Sequence, residues 1–228
     1  MDNHLMEEQH FIQITVARLY TDQPFQGNGG DLRRTVTAHF PDIPLLHHHN
    51  PAGESDYSLP QVRYLVIHKI PHLVGLNRGR KMVAMVAEKT SELTVGRQSY
   101  DITGHDFIEE GIILGLSSGL TTYTNRSPWL ALNQNNANKF QKLSQKAEKR
   151  ELLERILIGN FLSLAKGLDI RLQSRILLRV VSFHWRKIKT PNSLLGFQVS
   201  FVSNLILPEF LGLGKMVSKG YGLMKKQE

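Results

Sequence analysis

Three consecutive histidines, His47, His48 and His49, stand in the segment PLLHHHN. Imidazole titrates near neutral pH and can give or take a proton, so the triplet could serve acid–base chemistry. Neighbouring side chains in an extended segment point to opposite sides, so at most His47 and His49 share one. Asp42, Glu54 and Asp56 are near in sequence, but their spacing matches no metal-ligand pattern, and no metal site is expected. The triplet also reads as histidines decorating a polar loop. His39, beside Phe40 on an apolar-flanked helix, reads as a packed side chain. The chain has no cysteine, which excludes disulfides, thiolate nucleophiles and thiolate zinc sites and fits a reducing compartment such as the cytoplasm.

A second group of residues suits polyanions. GLGKMVSKGYG holds Gly212, Gly214, Gly220 and Gly222 as two Gly-apolar-Gly pairs, with Lys215 and Lys219 between them. Four glycines at this spacing ask for a backbone reason, and open amides flanked by lysines could form an anion site. Arg171, Arg175 and Arg179 alternate with apolar residues as if on one face of a strand, and Arg186, Lys187 and Lys189 follow. Together they could form a track for a phosphate backbone, although charged residues also blunt strand edges. Residues 115–228 carry a net charge of +12 and residues 1–114 a net charge of −4. Such polarity suits a polyanion, because neutralised phosphates release counterions. Walker loops and Gly-x-Ser-x-Gly elbows are absent, and the few carboxylates of the basic half argue against a two-metal nuclease.

These residues need elements to hold them. FIQITVARLY alternates at period two and predicts a strand. Asp31 can cap a short helix lined by Leu32, Val36 and Phe40. VRYLVIHK and HLVGLN predict paired strands around Ile70-Pro71, GRKMVAMVAEKT a helix and ELTVGRQSY a closing strand. That βαββαβ order is ferredoxin-like. The second half reads as the strand GIILGLSSGLTTYT and one long helix bearing Phe140, Leu143, Ala147, Leu153, Leu157, Phe161 and Leu164. The strands IRLQSRILLRVVSFHW and LGFQVSFVSNLIL, the glycine loop and a last strand, YGLM, complete it. The expectation is an α+β chain of two tandem ferredoxin-like units, 1–103 and 104–228. The second is degenerate, with the glycine loop in place of a helix. No membrane span or signal peptide is expected.

The loop GLGKMVSKGYG resembles, without a gap, the signature loop of the CRISPR-associated RAMP endoribonucleases that cut repeats in precursor CRISPR RNA. LLHHHN, YSLPQVRYLVI and HLVGLNRG resemble the N-terminal block of one branch of that family. SPWLALNQNN and GNFLSLAKGLDIRL resemble its central block, so the similarity covers most of the chain in matching order. It implies two RAMP (RRM-like) ferredoxin domains and cofactor-free, metal-independent cleavage. The ribose 2′-OH would attack the adjacent phosphate, leaving a 2′,3′-cyclic phosphate and a 5′-OH. The family's catalytic imidazole follows the first helix, where His47 or His49 matches. A lysine expected after YSLP is Leu65 here. Either Arg63 stabilises the phosphorane, or Tyr57 helps, or that role lies elsewhere. Non-cutting RAMP subunits carry similar loops, so the second reading is a subunit that holds guide RNA among other subunits of a CRISPR effector complex. The histidine triplet favours the nuclease, since a pure binder does not need it.

Overall fold

The computed structural model describes residues 7–47, 59–188 and 194–227. The chain forms two compact units, one holding residues 12–112 with 218–220, the other holding 113–217, 221–227 and the start of the first strand. Among the described residues, no helix is long and apolar enough to cross a membrane.

In the first unit, β1 (Glu8–Thr21), α1 (Gly29–His39), α2 (Pro44–His47), β2 (Val62–Ile67), β3 (Ile70–Leu76), α3 (Gly79–Lys89) and β4 (Glu92–Val95) follow in order. β3 lies between β1 and β2, antiparallel to both. One sheet face carries Ala17, Leu19, Tyr64 and Leu73, which form one core with Leu32 and Val36 of α1 and Val83, Val86 and Ala87 of α3. Cross-strand partners share a face, so Val16, Arg63, Leu65, His72 and Val74 occupy the opposite one. The β2–β3 turn is His68-Lys69, both at positive φ, and Ile70-Pro71 opens β3 instead of forming the turn. Positive φ at two non-glycine residues gives the two-residue hairpin geometry without its usual Asn-Gly marker. Asn28, not Asp31, caps α1. Its side chain accepts from the amides of Gly30 and Asp31, while Asp31 accepts from the Asn28 amide, a reciprocal box.

β5 (Gln98–Asn125) begins as the hairpin partner of β4 and continues without interruption through residue 103 into the second unit. There it pairs with β7 (Leu195–Ile206), which pairs with β6 (Leu178–Lys187), while β8 (Met224–Lys226) pairs with the end of β5. Where one helix is expected there are two, α4 (Gln134–Lys142) and α5 (Lys146–Gly167), because Leu143 turns extended. The apolar spacing runs across this short break, so period alone does not reveal it. Phe140 meets Phe183, Trp185 and Phe197 edge-on, and α5 buries Leu153, Leu157 and Phe161.

The segment with Arg171 and Arg175 is not a strand. The Glu8 carboxylate accepts from the amides of Gln173 and Ser174, and Asn204 accepts from the Leu177 amide at 2.8 Å and donates to the Arg175 carbonyl at 3.1 Å. Side chains take the backbone groups that a ladder would use, so the chain enters β6 only at Leu178.

Candidate active site

His47 ends α2 and is half-buried. Its Nε2 lies 3.2 Å from the Phe40 carbonyl oxygen. A carbonyl only accepts, so Nε2 carries a proton, and in the neutral ring the lone pair is on Nδ1. The Arg33 guanidinium of α1 donates to the His47 carbonyl, and the Tyr64 hydroxyl of β2 donates to the Leu46 carbonyl at 3.1 Å. Burial raises the Tyr64 phenol well above its ordinary pKa, so it stays neutral and serves as a fixed donor. The imidazole is thus fastened to α1 and β2 through neighbouring backbone.

The middle of the glycine loop, Ser218–Gly220, belongs to this unit. A Cβ at Gly29 would overlap the carbonyl oxygens of both Tyr64 and Lys219, so helix start, strand and loop meet backbone on backbone. Burial, with Arg33 and Arg34 close by, lowers the pKa of Lys219. Asp31 pairs with Arg34 at 3.1 Å, but Arg34 remains mostly exposed. Arg33, Arg34 and Lys219 therefore gather at α1, whose N-terminus favours anions, and of the three it is Arg33 that reaches the His47 backbone. A neutral imidazole can move a proton, and cations near it can stabilise a developing phosphorane.

The sequence reading missed Arg33 and Arg34. The available signal was two adjacent arginines in the opening turns of the helix that precedes the histidines.

The glycine pairs close the neck of the loop. Leu213 donates to the Gly222 carbonyl at 3.0 Å, Lys215 to Leu130 at 3.0 Å and Gly222 to Pro128 at 3.1 Å. A Cβ at Gly212 would overlap the Tyr221 carbonyl oxygen, and one at Gly222 that of Leu213. Gly214, Gly220 and Gly222 also take positive φ. The glycines are required for self-packing, and three of the amides expected to face an anion are bonded internally. The positive charge the loop supplies comes from its lysines, Lys215 exposed and Lys219 half-buried.

The other expected residues are dispersed. His48, His49 and Tyr57 lie outside the described residues, as does Lys189. Arg63 is fully buried, none of its guanidinium nitrogens has a partner, and burial lowers its pKa to about 10. Strand alternation turns it to the face opposite Tyr64, away from His47. His39 is exposed rather than packed. Arg171, Arg175 and Arg179 are all exposed, but only Arg179 belongs to β6. Among the described residues, no three His, Asp or Glu side chains are grouped to hold a metal ion.

Residues 10–112 match the family model described as the Cas6b N-terminal domain, and residues 115–227 match the Cas6b C-terminal domain. A protein of Methanocaldococcus jannaschii, described as uncharacterized, is 35% identical over 115 residues, covering 50% of this chain and 78% of that one. A crystal structure of Cas6b matches with TM-score 0.82 at 24% identity, covering 97% of this chain and all 100% of that one. A CRISPR RNA processing endoribonuclease Cas6b matches with TM-score 0.71 at 21% identity, covering 96% and 100%. A type IV Cas6 crRNA endonuclease, Csf5, matches with TM-score 0.61 at 12% identity, covering 96% and 100%. At these identities the structural likenesses are likenesses of fold. The fold they share is the tandem ferredoxin-like α+β arrangement expected from the order of elements.

Proposed function

Because the chain belongs to the Cas6b family, we propose that it is an endoribonuclease that cuts CRISPR repeat RNA in precursor transcripts, releasing guide RNAs. The observation that carries this reading is the grouping of Arg33, Arg34 and Lys219, with Arg33 also bonded to the backbone of His47. A scissile phosphate drawn to these cations would be held by Arg33 within reach of His47. The 2′-OH of the preceding ribose loses its proton to a base and attacks phosphorus, and the 5′-oxygen leaves with a proton from an acid. One strand then ends in a 2′,3′-cyclic phosphate and the other begins with a 5′-OH. His47 takes one of the two proton-transfer roles and His49 the other, and the cations stabilise the phosphorane. These side chains supply every group the step needs, so the cleavage is metal-independent.

With its guanidinium turned to the opposite face of β2, Arg63 is not assigned to the phosphorane, and that role passes to Arg33 and Lys219. Lys215, Arg171, Arg175 and Arg179 hold RNA phosphates away from the scissile bond. The test is single-turnover cleavage of repeat RNA by Arg33→Ala and Lys219→Ala. Each is expected to slow cleavage more than it weakens binding. Slower cleavage explained wholly by lost affinity would make the cluster a binding patch and favour the guide-RNA-holding subunit.

A further inference from the structure

A different set of cations stands at the start of α3, in the sequence Asn77-Arg78-Gly79-Arg80-Lys81. No side chain caps this eleven-residue helix, and Asn77 turns into it at positive φ. A Cβ at Gly75 would lie 2.8 Å from the Arg80 Cα, and one at Gly79 would lie 2.7 Å from the Gln61 carbonyl carbon. The helix start is therefore pressed onto β3 and the start of β2. In front of it is a cavity of about 770 Å³ lined by Thr15, Arg78, Arg80, Lys81 and Glu109, among others. Thr15 is 3% exposed and its hydroxyl has no hydrogen-bond partner. The Nε of Arg80 is also buried and unpaired, while its Nη reaches the largely exposed Glu109 carboxylate at 3.5 Å.

Buried polar groups in folded proteins are nearly always bonded. Two orphan donors lining one cavity, an uncapped helix N-terminus and three cations all ask for the same thing, an anion with several acceptor oxygens. Lysine and arginine with a hydroxyl and backbone amides are the donors that hold phosphate groups. We infer that this cavity is a phosphate-binding site, in which Thr15 and Arg80 donate to the phosphate oxygens and Arg78 and Lys81 neutralise its charge. That the phosphate belongs to an RNA strand, which would be anchored here at a second point, rests on the function proposed above.

Thr15→Val keeps the shape and removes the hydroxyl. Arg78→Gln with Lys81→Gln removes charge without emptying the site. Both are compared with the wild-type chain in thermal melting with inorganic phosphate or uridine 5′-monophosphate. Affinity is then measured for a short single-stranded RNA that lacks terminal phosphates. Without phosphate, Thr15→Val should melt at the wild-type temperature or higher, since an unpaired buried hydroxyl is lost. Phosphate should raise the wild-type melting temperature but not that of Thr15→Val. RNA affinity should fall about tenfold in the double variant, which loses the two charges that neutralise the phosphate. A Thr15-dependent response to phosphate and nucleotide alone would keep the site and assign it to free nucleotides. Wild-type and variant proteins that respond alike to every probe would overturn it. Cleavage of repeat RNA by the wild-type chain, measured in parallel, judges the nuclease reading separately, because melting with phosphate needs no cleavage.

Discussion

His47 is held so that one ring nitrogen, Nε2, is committed. The Phe40 carbonyl accepts from Nε2–H, and Arg33 fixes the backbone of the same residue. His47→Ala should reduce single-turnover cleavage by about a hundred- to ten-thousand-fold, the usual range for a general acid or base, with RNA affinity retained. His49→Ala should do the same, while His48→Ala and the exposed His39→Ala should cut at the wild-type rate. If all four cut normally, the histidine chemistry is wrong. A different imidazole should set the acid limit of the fold. Burial lowers the pKa of His72, whose Nδ1 donates to the Ile70 carbonyl at 2.8 Å. The unfolded chain therefore binds this proton first. Stability is complete above the ordinary imidazole pKa and falls as pH drops from there through the lower folded value. Melting of His72→Leu across pH 5 to 8 should show a shallower acid limb than wild type. Equal limbs would remove His72 as its source. At this scale the sequence announced the histidines but not the arginines. Two adjacent arginines look like a solvated helix face until the loop brings Lys219 to them.

Among the elements, the glycine loop separates packing from binding. A side chain at positive φ costs about 1–2 kcal/mol, and a collision with backbone adds to that. Gly222→Ala combines φ +71° with overlap on Leu213, whereas Gly96→Ala has φ +63° and nothing within 4 Å. The denaturation midpoint should fall further for Gly222→Ala than for Gly96→Ala. Gly220, at φ +80° with its nearest contact 3.3 Å away at the Tyr64 carbonyl, should stay folded as Ala while binding RNA more weakly, because it sets the position of Lys219. Equal midpoints for Gly222→Ala and Gly96→Ala would mean that the loop neck is not tightly packed. Period-two and period-3.6 patterns made most strands and helices legible, since burial enforces them. What stayed hidden depended on individual bonds. The Asn28 cap, the turn at His68-Lys69 and the break at Leu143 are local bonds and dihedrals that hydrophobic period does not carry. The irregular run before Leu178 follows from the distant partners Glu8 and Asn204.

For the whole molecule, the charge is divided, with net +12 in residues 115–228 against −4 in residues 1–114. Among the described residues, no ion pair involves Arg171, Arg175 or Arg179, which leaves them available to phosphates. For single strands, log affinity falls with log salt by about 0.7 per phosphate contact. Arg171→Ala with Arg175→Ala should therefore flatten that slope by about 1.4. An unchanged slope would place the RNA elsewhere. The measurement that bears most directly on the central claim is cleavage of a precursor repeat RNA by the purified chain in excess EDTA, with analysis of the product ends. Expected are undiminished cleavage, a 2′,3′-cyclic phosphate on the upstream product and a 5′-OH on the downstream one. Cleavage that disappears with chelator and returns with magnesium, or tight binding of repeat RNA with no cleavage at all, would contradict it.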